Sequence, residues 1–292
     1  MVVTLENSFY KVEISTSGAE IQSFVRKSDS SDIIWHGDHS VWARHAPILF
    51  PFISRCVGGF YIFDGKRVDF TKNHGFARDV EHKLVYNDEK KGVFELSYDD
   101  ELLEKFPYKF LLRTVYELDD KGLDWKLEVI NCDDKTFGFH IGTHPAFACK
   151  PSECFIEFEK KSFLKGIKCT KEGYLAPLID GELDLYDFGE KEAGIIPVPA
   201  EGFGNGVFVL NNDSDWVCLH DRSSNHSVKI ESKVCKYIML WQNVTGEGQF
   251  VCVEPWYGVQ DPVNSDNIWS HKYDLINLNK GESFSCSQRI FE

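Results

Sequence analysis

The stretch GLDWKLEVI at 122–130 places Leu123, Trp125, Leu127 and Val129 in alternation with Asp124, Lys126 and Glu128. Side chains point the same way at every second residue only in an extended chain, so this run must lie as a strand with one face in a core. YKFLLRTVYEL at 108–118 reads the same way, and DDKG at 119–122 has turn chemistry, so the two segments form an antiparallel hairpin. Similar short runs recur from FYKVEIS and AEIQSFV near the start, through CFIEFE, WVCLHD, HSVKIES, YIMLWQ and FVCVEPW, to ESFSCSQRIF at the end. Clusters of Asp, Asn, Gly and Ser separate them. Helical periodicity is confined to DELLEKF at 100–106 and one turn between Ser265 and His271, and no β-α-β alternation is present. The expected fold is therefore all-β, a long sandwich.

No internal repeat, low-complexity tract or long linker interrupts residues 1–292, which points to a single domain. The loosest part, 165–205, is expected to be a loop-rich insertion over one sheet edge. With 23 Phe, 11 Tyr and 7 Trp, a large aromatic core forms without disulfides. Nine scattered cysteines, an odd number with no C-x-x-C pair, fit reduced thiols. The first twenty residues lack the pattern of a secretory signal, so a cytoplasmic location is expected, and the N-x-S/T triplets at Asn212, Asn225 and Asn243 are then chance matches. A net charge of −14 with no Lys/Arg cluster argues against nucleic acid and anionic membranes as partners. Small polar ligands remain.

Several chemistries are absent at the level of motif. GFGNG at 202–206 lacks the spacing and strand-to-helix setting of a dinucleotide loop and reads as a loop, and there is no G-x-S-x-G, Walker A or H-E-x-x-H. His36 and His39 in HGDH, and His140 and His144 in HIGTH, raise the question of metal. The strand-like TFGF before HIGTH and Pro145 after it speak against the helical spacing a shared ion would need, so no metal site is expected.

Three segments break the strand pattern by setting titratable groups among aromatics and glycine: NHGFARD at 73–79, GTHPAF at 142–147 and VEPWYGVQD at 253–261. Together they supply two imidazoles, a carboxylate and a guanidinium, with Phe76, Phe147, Trp256 and Tyr257 as aromatic walls. A pyranose presents an apolar C–H face that packs on aromatics and a rim of hydroxyls that needs charged partners, so this inventory suits a sugar. Glu254 and His144 each precede a proline and are expected at a strand end, where the sheet hands over to a loop.

These segments, with EISTSGAEIQSF at 13–24, IIWHGDHSVWARHAPILFPFISR at 33–55 and LINLNKGESFS at 275–285, resemble the aldose 1-epimerase (galactose mutarotase-like) family, in particular its LacX-like branch. The resemblance runs nearly end to end. It implies a β-supersandwich with the sugar in a groove across a curved sheet, Glu254 as general base, His144 as general acid and His74 as a second catalytic imidazole. It also implies Arg55 or Arg78 on sugar hydroxyls or a phosphate. Galactose-specific members use a further aspartate, for which Asp261 is the substitute by position alone.

Interconverting anomers needs a proton taken from the C1 hydroxyl and one delivered to the ring oxygen, which calls for a carboxylate and an imidazole but no redox cofactor or metal. Two other readings stay open. A hexose-6-phosphate 1-epimerase would gather Arg78, Arg55 and Lys72 on the phosphate. A non-catalytic sugar sensor would use the same fold without an acid/base set.

Overall fold

The computed structural model describes residues 1–189, 191–199, 201–224, 226–233, 235–243 and 249–292. The hairpin forms as its alternation requires: Phe110–Leu118 pairs antiparallel with Gly122–Asn131, Leu112 facing Val129 and Tyr116 facing Trp125. Asp119 closes the turn by accepting from the backbone N–H groups of Lys121 and Gly122 at 2.8 and 3.0 Å. Lys91–Ser97 flanks one side of this pair and Ser283–Phe291 the other, and the sheet extends to nine strands.

An eight-stranded antiparallel sheet has Phe250–Tyr257 near its centre, between Tyr237–Trp241 on one side and the short strands Ile141–Thr143 and Ala146–Ala148 on the other. A four-stranded sheet carries the first 32 residues, from Val2–Glu6 to Ser31–Asp32. The three share one core. Leu112, Trp125 and Leu127 from the nine-stranded sheet, Phe147, Val251 and Val253 from the eight-stranded one, and Leu5, Val12 and Phe24 from the third belong to the same buried cluster. The one α-helix among the described residues, Asp100–Lys105, falls where helical periodicity was expected, and its N-cap Asp99 accepts from the Leu102 N–H.

The region 165–205 departs from expectation. It is not laid over one edge but supplies edge strands to both large sheets: Lys165–Ile167 and Leu185–Asp187 to the eight-stranded one, Ile195–Pro197 to the nine-stranded one. These strands are three residues long, too short for an alternation to register in sequence. GFGNG is a loop, with Gly202, Gly204 and Gly206 all at positive φ. Asn225 lies outside the described residues.

A knot of phenylalanines fixes the segment that will hold the site. The Phe50 ring meets those of Phe76, Phe106, Phe110 and Phe139 at centroid separations of 6.1, 5.9, 5.1 and 5.8 Å, mostly edge to face or tilted. Such pairs contribute about 0.5–1.5 kcal/mol each beyond area burial. Phe76 therefore serves the core rather than an aromatic wall.

The alternation makes a direct prediction. Leu112→Ala empties a fully buried position and should destabilise by about 2–5 kcal/mol, while Glu117→Ala on the exposed face of the same strand should stay within about 0.5 kcal/mol. Guanidinium unfolding of both variants decides it; equal losses would contradict the assignment of faces.

Candidate active site

Phe250–Tyr257 is buried along its whole length, and its side chains divide strictly by parity. Val251 and Val253 point into the main core, whereas Cys252, Glu254 and Trp256 point the other way. The register with Tyr237–Trp241 sets Met239 opposite Glu254 and Trp241 opposite Cys252, so these share the second face. That face forms the floor of a cavity of about 300 Å³, lined among others by Glu254, Trp256, His144, His74, Arg78 and Arg55.

His144 arrives from the gap between Ile141–Thr143 and Ala146–Ala148, where Pro145 interrupts pairing, and its Nε2 lies 3.4 Å from Glu254 Oε1. Trp42 stacks on its ring at 5.1 Å and Trp241 meets it edge-on at 5.6 Å. Glu254 Oε2 accepts from the Trp256 indole N–H at 3.1 Å, while Oε1 has no hydrogen-bond partner. The carboxyl is completely buried. Burial pushes it well above the usual carboxylate range, opposed only by the indole, and burial together with the Arg78 charge takes the His144 imidazole down to about 3.

His74 enters from a turn in which His74 and Gly75 both take left-handed backbone conformations, at φ 66° and 69°. A Cβ at Gly75 would come within 2.1 Å of the Phe50 carbonyl oxygen, so only glycine fits there. The His74 N–H donates to the Ser54 carbonyl at 2.8 Å, and its ring Nδ1 accepts from the Ser54 N–H at 3.0 Å. Because Nδ1 is an acceptor, the neutral ring carries its proton on Nε2. The ring stands edge-on to His144 at 5.6 Å and to Trp256 at 5.7 Å, and burial with the nearby Arg78 keeps its pKa well below the ordinary value.

Arg78 donates from Nη2 to the Asn73 carbonyl at 2.8 Å and leaves Nε buried without a partner. Its own carbonyl accepts from Arg44 at 2.9 Å, and Arg44 is held in turn by Glu20 and Asp79. Arg55 is exposed at the rim, donating to the Glu172 carbonyl at 3.1 Å. Lys72 pairs with Asp79 at 3.1 Å.

Three residues expected to touch the sugar lie elsewhere. Phe147 is opposite Val251 in the ladder and so faces the core. Tyr257 has the opposite parity to Glu254 and Trp256, and its hydroxyl meets Ser232 Oγ and the Lys233 carbonyl, both at 3.2 Å. Asp261 is sealed behind the cavity wall, where it binds Lys272 Nζ at 2.5 Å and accepts from the Tyr61 hydroxyl at 2.9 Å and the Val57 N–H at 3.3 Å. It joins three segments rather than reaching a ligand. Of the histidine pairs, His36 is exposed, and His140 is turned to the Tyr273 carbonyl at 2.9 Å, away from His144. Trp42, Trp241 and Gln260 line the cavity without having been singled out. Trp42 and Trp241 stood in quoted segments, WARH and YIMLWQ, but nothing local separates a cavity-facing tryptophan from a core one.

The sequence model of the aldose 1-epimerase family matches residues 1–290. The chain belongs to that family. It is 28% identical over 287 residues to the plasmid-encoded protein LacX of Lactococcus lactis subsp. lactis, covering 93% of each. Among solved structures, a galactose mutarotase-like protein from Lactobacillus casei ATCC 334 superposes with a TM-score of 0.92 at 27% identity, covering 100% of this chain and 99% of that one. A galactose mutarotase related enzyme from Lactobacillus acidophilus gives 0.87 at 26% identity, covering 100% and 97%. The β-supersandwich of this family is thus the fold here, and membership supports a carbohydrate-epimerase role. No helix among the described residues is long and apolar enough to cross a membrane.

Two outcomes follow from the buried charges. Asp261→Ala leaves Lys272, only 1% exposed, without its counter-ion and should destabilise by about 3–5 kcal/mol in chemical unfolding; a loss under about 1 kcal/mol would mean that Lys272 reaches water. His74, His82, His140 and His144 are all held neutral by burial, His82 at about 4 and His144 at about 3. An unfolded histidine takes up its proton near pH 6.5, so stability should fall as pH drops below that value, each histidine contributing about 1.4 kcal/mol per pH unit until its folded pKa is reached. Glu254, raised rather than lowered, contributes with the opposite sign but is one group against four. Unfolding free energies measured between about pH 7 and pH 5 should show this slope; a flat profile would mean that these rings are solvated.

Proposed function

We propose that the protein is an aldose 1-epimerase that interconverts the α and β anomers of a hexose. The observation that carries this reading is the 3.4 Å separation of Glu254 and His144 on the floor of one cavity. Mutarotation requires simultaneous proton traffic at two oxygens bonded to the same carbon, so base and acid must be close neighbours. In this reading the pair holds one proton. With that proton on His144, Glu254 takes the C1 hydroxyl proton while His144 gives its own to the ring oxygen, and the C1–O5 bond opens to the aldehyde. Rotation about C1–C2 and the reverse transfers close the other anomer.

Sharing one proton is what makes the burial tolerable. Carboxylate with imidazolium and carboxylic acid with imidazole are both neutral overall, so no net charge is created in an apolar site during the reaction. The raised Glu254 pKa makes it a stronger base than a solvated carboxylate, and the depressed His144 pKa makes its cation a stronger acid. His74, with Nδ1 occupied by Ser54, offers a fixed Nε2–H to orient the ring oxygen or a hydroxyl. The unpartnered Arg78 Nε is a donor for a further hydroxyl, and Trp42, Trp241 and Trp256 supply apolar surface for C–H faces. An unphosphorylated sugar is preferred to a 6-phosphate because Lys72, one of three cations that would gather on the phosphate, is paired with Asp79 instead.

Glu254→Gln keeps size and hydrogen bonding but removes the proton acceptor. Polarimetry on a freshly dissolved single anomer should show a fall of at least about 10²-fold, with sugar affinity changed only a few-fold. If the wild-type protein binds aldoses yet never exceeds the buffer rate with any of them, it is a sugar sensor instead.

A further inference from the structure

Cys252 shares the cavity-side face of its strand with Glu254, two residues on, and packs beneath the tryptophans that flank His144. One ligand atom each from His144, Cys252 and Glu254 lies within 4.8 Å of the others, and all three residues are buried. We propose that these three form a binding site for a thiophilic divalent cation such as Zn²⁺, which occupies the floor of the cavity and blocks it. The proposal rests on the acid/base reading of Glu254 and His144 only for the word "blocks"; binding itself stands apart from it.

The donor set is a nitrogen, a sulfur and an oxygen, the types Zn²⁺ takes, at about 2.0–2.3 Å from the metal. Two ligands at such distances on a tetrahedral ion are about 3.4 Å apart, which is the spacing His144 Nε2 and Glu254 Oε1 already have. Glu254 Oε1 is a buried polar atom with no hydrogen-bond partner, and it faces His144 Nε2, so a cation arriving between them breaks no hydrogen bond at that oxygen. The sulfur closes the set as the S–metal bond forms, its thiol proton and the one proton shared by Glu254 and His144 both passing to solvent. Thiolate and carboxylate together cancel the dication, so the complex adds no net charge beside Arg78. The fourth tetrahedral position faces the cavity, where a water or an anion completes it. A hard cation such as Mg²⁺ has no reason to choose this set, because it demands six oxygens.

Cys252 takes no part in the proton transfers, which separates metal binding from catalysis experimentally. Chelator-treated protein would be titrated with Co²⁺ as an optical stand-in for Zn²⁺, and with Zn²⁺ by equilibrium dialysis. The wild type should bind one equivalent of cobalt with an intense near-ultraviolet thiolate-to-cobalt band. Cys252→Ser and Cys252→Ala should lose the band and bind zinc at least about tenfold more weakly. In polarimetry both variants should mutarotate near the wild-type rate, while only the wild type is inhibited by zinc. The site is overturned if cobalt binds without a thiolate band, or if zinc affinity is unchanged when Cys252 is replaced. Two substitutions of different size guard against a packing defect at this fully buried position. Should the wild type prove inactive on every sugar, the cobalt spectrum still decides the metal site.

Discussion

Coverage of the strand Phe250–Tyr257 on both faces is the constraint on which the rest of the molecule depends. One face must be apolar because it completes the sandwich core through Val251 and Val253. The other carries the cavity floor, where the tryptophans and the polypeptide that holds His144 crowd in until the Glu254 carboxyl is completely buried. Glu254 is thereby made a poor anion, and every neighbouring choice can be understood as living with that. The indole of Trp256 donates to one oxygen, His144 faces the other, and among the described residues no lysine or arginine pairs with the carboxyl. A lysine or arginine at that distance would hold Glu254 ionised and weaken it as a base.

The imidazoles are placed by different means, and the difference matters to what each can do. His74 is fixed by two hydrogen bonds to Ser54 and by a left-handed His–Gly turn wedged against Phe50. Its ring orientation and tautomer are settled before any ligand arrives. His144 is held by stacking against Trp42 and by Trp241, contacts that fix the plane of the ring but not the site of its proton. One imidazole is suited to orientation and the other to transfer. The ion pair of Asp261 and Lys272 works further back, clamping the loop at Val57 to the segment that follows Phe250–Tyr257.

Much of the fold was legible because most strands of the nine-stranded sheet are half-buried and keep a strict alternation, as Gly122–Asn131 does. The strand that carries Glu254 is not of that kind. FVCVEPWY is buried at every position, so hydropathy could not say which residues share a face with Glu254. His144 and His74 stand in local breaks of pattern beside proline and glycine, whereas Glu254, expected at a strand end before Pro255, lies inside the unbroken strand, with Pro255 still opposite Ile238; all three line one cavity. Phe147, Tyr257 and Asp261 lie away from the cavity although each is close in sequence to a residue that lines it. Within a strand the next residue points the opposite way, and Phe147 and Tyr257 follow that rule. Asp261, past the strand end, found a lysine whose partnership no sequence motif announces.

The cavity is built from two kinds of material. Its floor stands on Phe250–Tyr257 and the strands that brace it, whereas part of its rim, at Gly173 and Asn205, comes from the region of short strands and loops between 165 and 207. Ile167, Leu175, Ile196 and Phe203 anchor that region in the core, whereas Gly173 and Asn205 lie on loops, where replacements leave the strands beneath undisturbed. A change at this rim would therefore alter what the cavity admits while leaving the arrangement of Glu254, His144 and His74 beneath it as it is.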